Sequence, residues 1–138
     1  MRALITRKIC YLLIAFLWTP QAIADSEEVA EEVYLLAREK EILAFSATGD
    51  QWVSLDLRSR EQVLASKYGG HVAVVFTNNR VLGFSTLTNN WSEEKLKVDE
   101  VMVSIEADGN VGTVITNLRA FGFSAKTGRW VVRRLGLE

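Results

Sequence analysis

Apolar residues in this chain arrive in short runs closed by Gly, Asn, Asp and Thr, and the pattern recurs at a step of 39 residues. The plainest mark is Phe-Ser, five residues, then Trp: Phe45-Ser46 to Trp52, Phe84-Ser85 to Trp91, Phe123-Ser124 to Trp130. Val33, Val72 and Val111 coincide at the same step, as do Leu43, Leu82 and Phe121, and Ala44, Gly83 and Gly122. A fixed period of this size is the signature of a repeat architecture. Within a unit the spacing is that of short strands. Val63–Lys67 reads as a moderate strand closed by Gly69-Gly70, and Val72–Phe76 is an unbroken apolar run, as expected of a strand covered on both faces. Asn78-Asn79 is expected to turn the chain by taking positive φ, and Val81–Thr86 and a strand opened by Trp91 follow. The third unit predicts strands over Val101–Glu106, Val111–Thr116, Ala120–Ala125 and Trp130–Leu135, with Asp108-Gly109 as a strong hairpin signal. Only Ser26–Arg38 has any helical character, and its tail Val33–Leu36 aligns with the buried strand of the other units, so that tail reads as strand.

Each unit is thus expected to be a four-stranded antiparallel meander, the first lacking its leading strand, for about eleven strands in all. The fold class is all-β: three tandem units over 33–60, 61–99 and 100–138. The order strand, Asp-Gly, strand, turn, strand, Thr-Gly, Trp resembles one blade of a β-propeller of the pyrroloquinoline-quinone type, with the kelch blade second. Asp108-Gly109, Thr116, Ala120–Ala125, Thr127-Gly128 and Trp130 carry the likeness best. It implies blade architecture only: the Ala-x-Asp of quinone blades is replaced by Ala44-Phe45-Ser46, Gly83-Phe84-Ser85 and Gly122-Phe123-Ser124, and no disulfide or calcium-type carboxylate cluster of the quinone enzymes can be pointed to, so no cofactor carries over. Closed propellers use about four to eight blades, and fewer than three full ones are present. A β-trefoil is therefore the alternative architecture, and an open stack of three units is a third.

The first two dozen residues change the picture of destination. Arg2, Arg7 and Lys8 precede the apolar run Ile9–Trp18, and Pro20 and Ala22-Ile23-Ala24 follow, the order of a secretory signal peptide over 1–24. The run is far shorter than the roughly 20 residues that span a bilayer, so no stable membrane anchor is expected after cleavage. The sole Cys10 and the sole Pro20 leave with the signal, and the remainder holds 13 Lys and Arg against 17 Asp and Glu. That mildly acidic balance argues against a nucleic-acid partner. An acidic leader over 25–32, with Asp25, Glu27, Glu28, Glu31 and Glu32, precedes the repeats. The expected location is the periplasm or the cell exterior.

Candidate chemistry is thin. Trp52, Trp91 and Trp130 are expected to be structural, each under its own turn and fastening one unit to the next. Phe45, Phe84 and Phe123 are expected in strands beside Ser46, Ser85 and Ser124, small residues bonded to backbone. His71 is the only histidine and reads as a surface turn residue, so no nucleophile–base set forms. No catalytic, cofactor or metal residue is assigned. Arg80 and Arg119 share one repeat position, where the first unit has Glu41, and Glu61 and Glu100 share another. They read as ordinary ion pairs or as an interaction rim. The expected function is an exported, non-enzymatic binding or scaffold module whose partner is a protein or a glycan. A hydrolase or other enzyme on the same fold is the alternative. Opposite charge at the two ends, Glu31 and Glu32 against Arg133 and Arg134, suits a homodimer or closure within one chain. N-terminal sequencing of exported material is expected to begin at Asp25; full-length chain in the membrane fraction would refute cleavage.

Overall fold

The computed structural model describes residues 30–136. The proposed signal peptide and all of the acidic leader before Ala30 lie outside them. Eleven strands follow in order, all antiparallel to their neighbours, and no helix occurs among the described residues. The first sheet is β1 (Val33–Ala37), β2 (Glu41–Ser46) and β3 (Gln51–Asp56). The second is β4 (Val63–Gly69), β5 (Val72–Thr77), β6 (Arg80–Ser85) and β7 (Asn90–Lys95). The third is β8 (Met102–Asp108), β9 (Val111–Thr116), β10 (Arg119–Ser124) and β11 (Arg129–Arg134). Each sheet is a simple meander that pairs only within its own unit. A trefoil would share strands of all three units in one barrel, so that alternative is corrected: the units are blades, stacked face to face and not closed.

Period-two alternation explains the stacking. In β5, Val72, Val74 and Phe76 face the third blade, while Ala73 and Val75 face the first. All six residues of β5 and all six of β6 are buried, because the middle blade is covered on both faces. Two core layers result. One sets Ile42, Ala44, Val33 and Leu35 of the first blade against Leu82 and Phe84 of the second. The other sets Val74 and Val81 of the second against Val114, Phe121, Phe123 and Trp130 of the third. Burying one such large apolar side chain is worth about 1.5–3 kcal/mol, so each layer is a substantial share of a marginal total.

The turns repeat as faithfully as the strands. Asp50, Asn89 and Gly128 all have positive φ and are one period apart, as are Arg60 and Asp99, and Gly70 and Gly109. The expectation for Asn78-Asn79 is corrected, since neither takes positive φ. That turn is organised by Thr77 instead, whose Oγ1 accepts the Asn79 and Arg80 N–H groups at 3.1 and 3.0 Å. A short polar side chain that serves the backbone in this way removes the need for a left-handed residue. Thr116 does the same for Leu118 and Arg119.

The seam between the second and third blades depends on a missing side chain. A Cβ at Gly83 would lie 2.7 Å from Phe123 Cδ2 and 2.9 Å from Trp130 Cζ2. Gly83→Ala is therefore expected to force the third blade outward and to cost about 1–3 kcal/mol. Thermal denaturation checks this; an unchanged melting temperature would show that the seam has slack.

Candidate interaction surface

Every Phe–Trp pair sits on the same face of its blade, the face that the second and third blades turn toward the preceding unit. Ring centroids are 5.2 Å apart for Phe45–Trp52, 5.3 Å for Phe84–Trp91 and 5.0 Å for Phe123–Trp130, with the same tilted geometry. Trp91 Nε1 donates to Val53 O and Trp130 Nε1 to Ser92 O, each at 3.1 Å, so each indole bonds to a strand of the blade before it. The serines complement this from the opposite direction. Ser46 Oγ donates to Thr86 O at 3.5 Å and Ser85 Oγ to Ala125 O at 2.5 Å, both reaching the blade after. The backbone adds Glu32 N–H to Gly70 O and His71 N–H to Gly109 O, each at 2.8 Å. His71 is not a plain surface residue: it is half-buried, with Nδ1 2.7 Å from Thr86 Oγ1.

Of the four charged residues read as a rim, Glu61 and Arg80 are buried, and Glu100 and Arg119 are half-buried with their paired charged groups turned inward. Glu61 receives two hydrogen bonds from Arg80 Nε and Nη2 at 2.9 Å, one from Thr77 Oγ1 at 2.7 Å and one from the Arg58 N–H at 2.9 Å. Glu93 is a further partner of Arg80, and Arg80 Nη2 reaches Asp56 O of the first blade at 2.9 Å. The third blade repeats the set with Glu100, Thr116, Lys97 and Arg119, and Arg119 Nη2 reaches Lys95 O of the second. The physical reason for the burial is bidentate pairing: a carboxylate that fills its lone pairs with guanidinium, hydroxyl and amide donors tolerates removal from water. These groups lock the strand ends of a seam and offer no rim. In the first unit Arg38 and Glu41 stand at the Thr and Arg positions and make one exposed pair at 3.4 Å.

Among the described residues, what remains uncovered are the two outer sheet faces. On the first blade Trp52 is 51% and Tyr34 50% exposed, their rings in edge contact at 6.3 Å. Trp52 therefore departs from the expectation for the three tryptophans, for Trp130 is only 8% exposed and Trp91 is partly buried. Phe45 lies beside Trp52 on this open face, and Phe84 and Phe123 lie in the cores. On the third blade Val111 and Val131 are exposed and flank Gly122, which has only Val131 O, at 3.8 Å, near its empty Cβ position. Ser124, unlike Ser46 and Ser85, makes no side-chain bond to another blade among the described residues.

No family model and no curated protein matches the chain. The solved structure of the N-terminal domain of Nup159 is similar in part, with a TM-score of 0.42 at 8% identity. The likeness covers 76% of this chain but only 31% of that one. The blade topology stands on the strand pairing of the chain itself.

Among the described residues no group of His, Cys, Asp and Glu is placed to hold a metal ion. The sequence pattern gave Tyr34, Thr77, Thr116, Val111 and Val131 no part in a seam or an open face. The two threonines could have been found, since they recur one period apart beside the paired arginines. The exposed valines could not, because their exposure follows from which blade is last.

Glu100 ties the ion pairs to pH. Burial by itself would raise its pKa, yet the Arg119 guanidinium, the Lys97 N–H and the Thr116 hydroxyl together lower it from 4.5 to about 2. Glu61 is lowered too, with burial opposing and Arg80, the Arg58 N–H and Thr77 prevailing. A depressed carboxylate contributes stability above its unfolded pKa and loses it as pH falls through the folded one, here between 4.5 and about 2. For Glu100 the contribution is on the order of 3 kcal/mol. Unfolding free energies of the parent and of Glu100→Gln are expected to converge over that window. Parallel curves would show that the carboxylate is no better held folded than unfolded.

Proposed function

We propose that this chain is an exported, non-catalytic scaffold or binding module whose working surfaces are its two open blade faces, and that its partner is a β-sheet protein. The observation that carries this reading is the open face of the third blade. It presents Val111, Gly122 and Val131 at the positions where the second blade, with Val72, Gly83 and Ser92, receives a neighbour. An apolar sheet face of this kind, flanked by charged positions such as Arg129 and Arg133, is the surface at which soluble proteins meet others. Export rests on the signal-like order of residues 1–24, and the periplasm or cell exterior is the proposed location.

A glycan is the second reading, and the exposed Tyr34–Trp52 pair favours it, since a sugar ring stacks on such aromatics. The two partners differ in what they touch. With a photo-crosslinking residue placed in the producing cell at Trp52, at Val131 or at the edge residue Lys67, a protein partner is expected to be captured from the first two and not from Lys67. Capture from Lys67 alone, or from none of the three, would overturn the protein reading. A glycan would protect Trp52 and leave Val131 uncaptured.

A further inference from the structure

We infer that the two open faces are the two halves of one interface and that the occupant is a second copy of this chain, docked first blade on third. This rests on the reading above and names its partner. The argument is that the chain already builds the same interface twice. Each seam uses an indole donor, a serine donor and a backbone bond at fixed offsets, and advancing each by one more period names a donor and an acceptor that both lie on the open faces. The indole bonds Trp91 to Val53 and Trp130 to Ser92 are followed by Trp52 of one copy to Val131 O of the other. The serine bonds are followed by Ser124 Oγ to Ala47 O, and the backbone bonds by the Asn110 N–H to Glu31 O. The shapes agree as well. The Phe123–Trp130 pair rests where Gly83 has no side chain, and the free Phe45–Trp52 pair has the same geometry while Gly122 has the same vacancy.

Charge supplies an independent match. Arg119 of the third blade lies within the field of Glu94 of the second. At the open faces these two repeat positions hold Glu41 and Arg133, so the attraction is kept with its signs exchanged. Such a head-to-tail contact is heterologous and must either close or grow without limit. Closed propellers contain about four to eight blades, and among multiples of three only six lies in that range. Two copies, joined at both ends, satisfy it.

Light scattering and sedimentation on the purified full chain test this. The unaltered chain is expected to run at twice the mass of one chain. Gly122→Leu, which fills the socket on a face that packs against none of the described residues, is expected to give a single-chain mass with an unchanged circular-dichroism spectrum. Trp52→Ala is expected to do the same from the opposite face. Arg133→Glu should raise the dissociation constant about tenfold or more, and adding Glu41→Arg should restore it by recreating the Glu94–Arg119 arrangement. A single-chain mass for the unaltered protein overturns the inference, as does a double mass indifferent to both Gly122→Leu and Trp52→Ala. A ladder of larger species overturns the closed ring. Single-chain mass together with capture of a different protein from Trp52 and Val131 would sink the second copy and leave the proposed function standing.

Discussion

A four-stranded meander has two faces and no means to cover either, and the structure rests on how each blade covers its neighbour. The contact is a pair of flat rings set on a position with no side chain. Gly83 is the clearest case: with no Cβ, the Phe123 and Trp130 rings approach the sheet itself. Ala44 occupies the same position against Phe84 in the first seam, so the seam accepts one methyl group where it was built around it. Dispersion over a ring is strong only at contact distance, which is why so small a change in one residue decides how closely two sheets pack. Each indole N–H then needs an acceptor once its ring is buried, and the preceding blade provides a strand carbonyl.

Ion pairs fix what the rings leave free. Two stacked apolar sheets could slide or rotate by small amounts at little cost, because the hydrophobic effect has no direction. Arg80 and Arg119 remove that freedom, each bonded bidentately to a Glu of its own blade while a third donor grips a carbonyl of the blade before. A buried pair of this kind is weak evidence for stability and better evidence for registry. Among the described residues no blade precedes the first, and it has no such arginine; Glu41 stands there instead. The device is present where there is a seam to register.

Much of this was legible in the sequence, and for a definite reason. A repeat displays each structural position several times, so Phe-Ser to Trp, the alternating strands and even the strand count could be read by superposition of the units. Val111–Thr116 was placed to the residue, and the other strands given explicit bounds in the sequence to within about two residues. What could not be read were properties that depend on the place of a unit in the stack. Trp52 and Trp130 are the same residue in the same motif, yet one is half in solvent and the other buried. Likewise Glu61 and Glu100 look like surface charges in composition, and only the convergence of Thr, Arg and a backbone amide on each explains their burial.

The way the chain meets other molecules is constrained by its edges as much as by its faces. A free strand edge invites further strands, and that route is blunted here. The leading strands of the second and third blades each carry a bulge one period apart, between Val63 and Ala65 and between Met102 and Ser104, where the ladder to the next strand slips. The trailing strands bear exposed Glu93 and Lys95 in one blade and Arg129, Arg133 and Arg134 in the other. Bulges and charge of this kind disfavour edge-to-edge pairing. The faces carry no equivalent defence: Trp52, Tyr34, Val111 and Val131 stand exposed beside an empty Gly122. With lateral growth opposed and both outer faces uncovered among the described residues, the association proposed above would run blade on blade, by the contact that already holds the three units together.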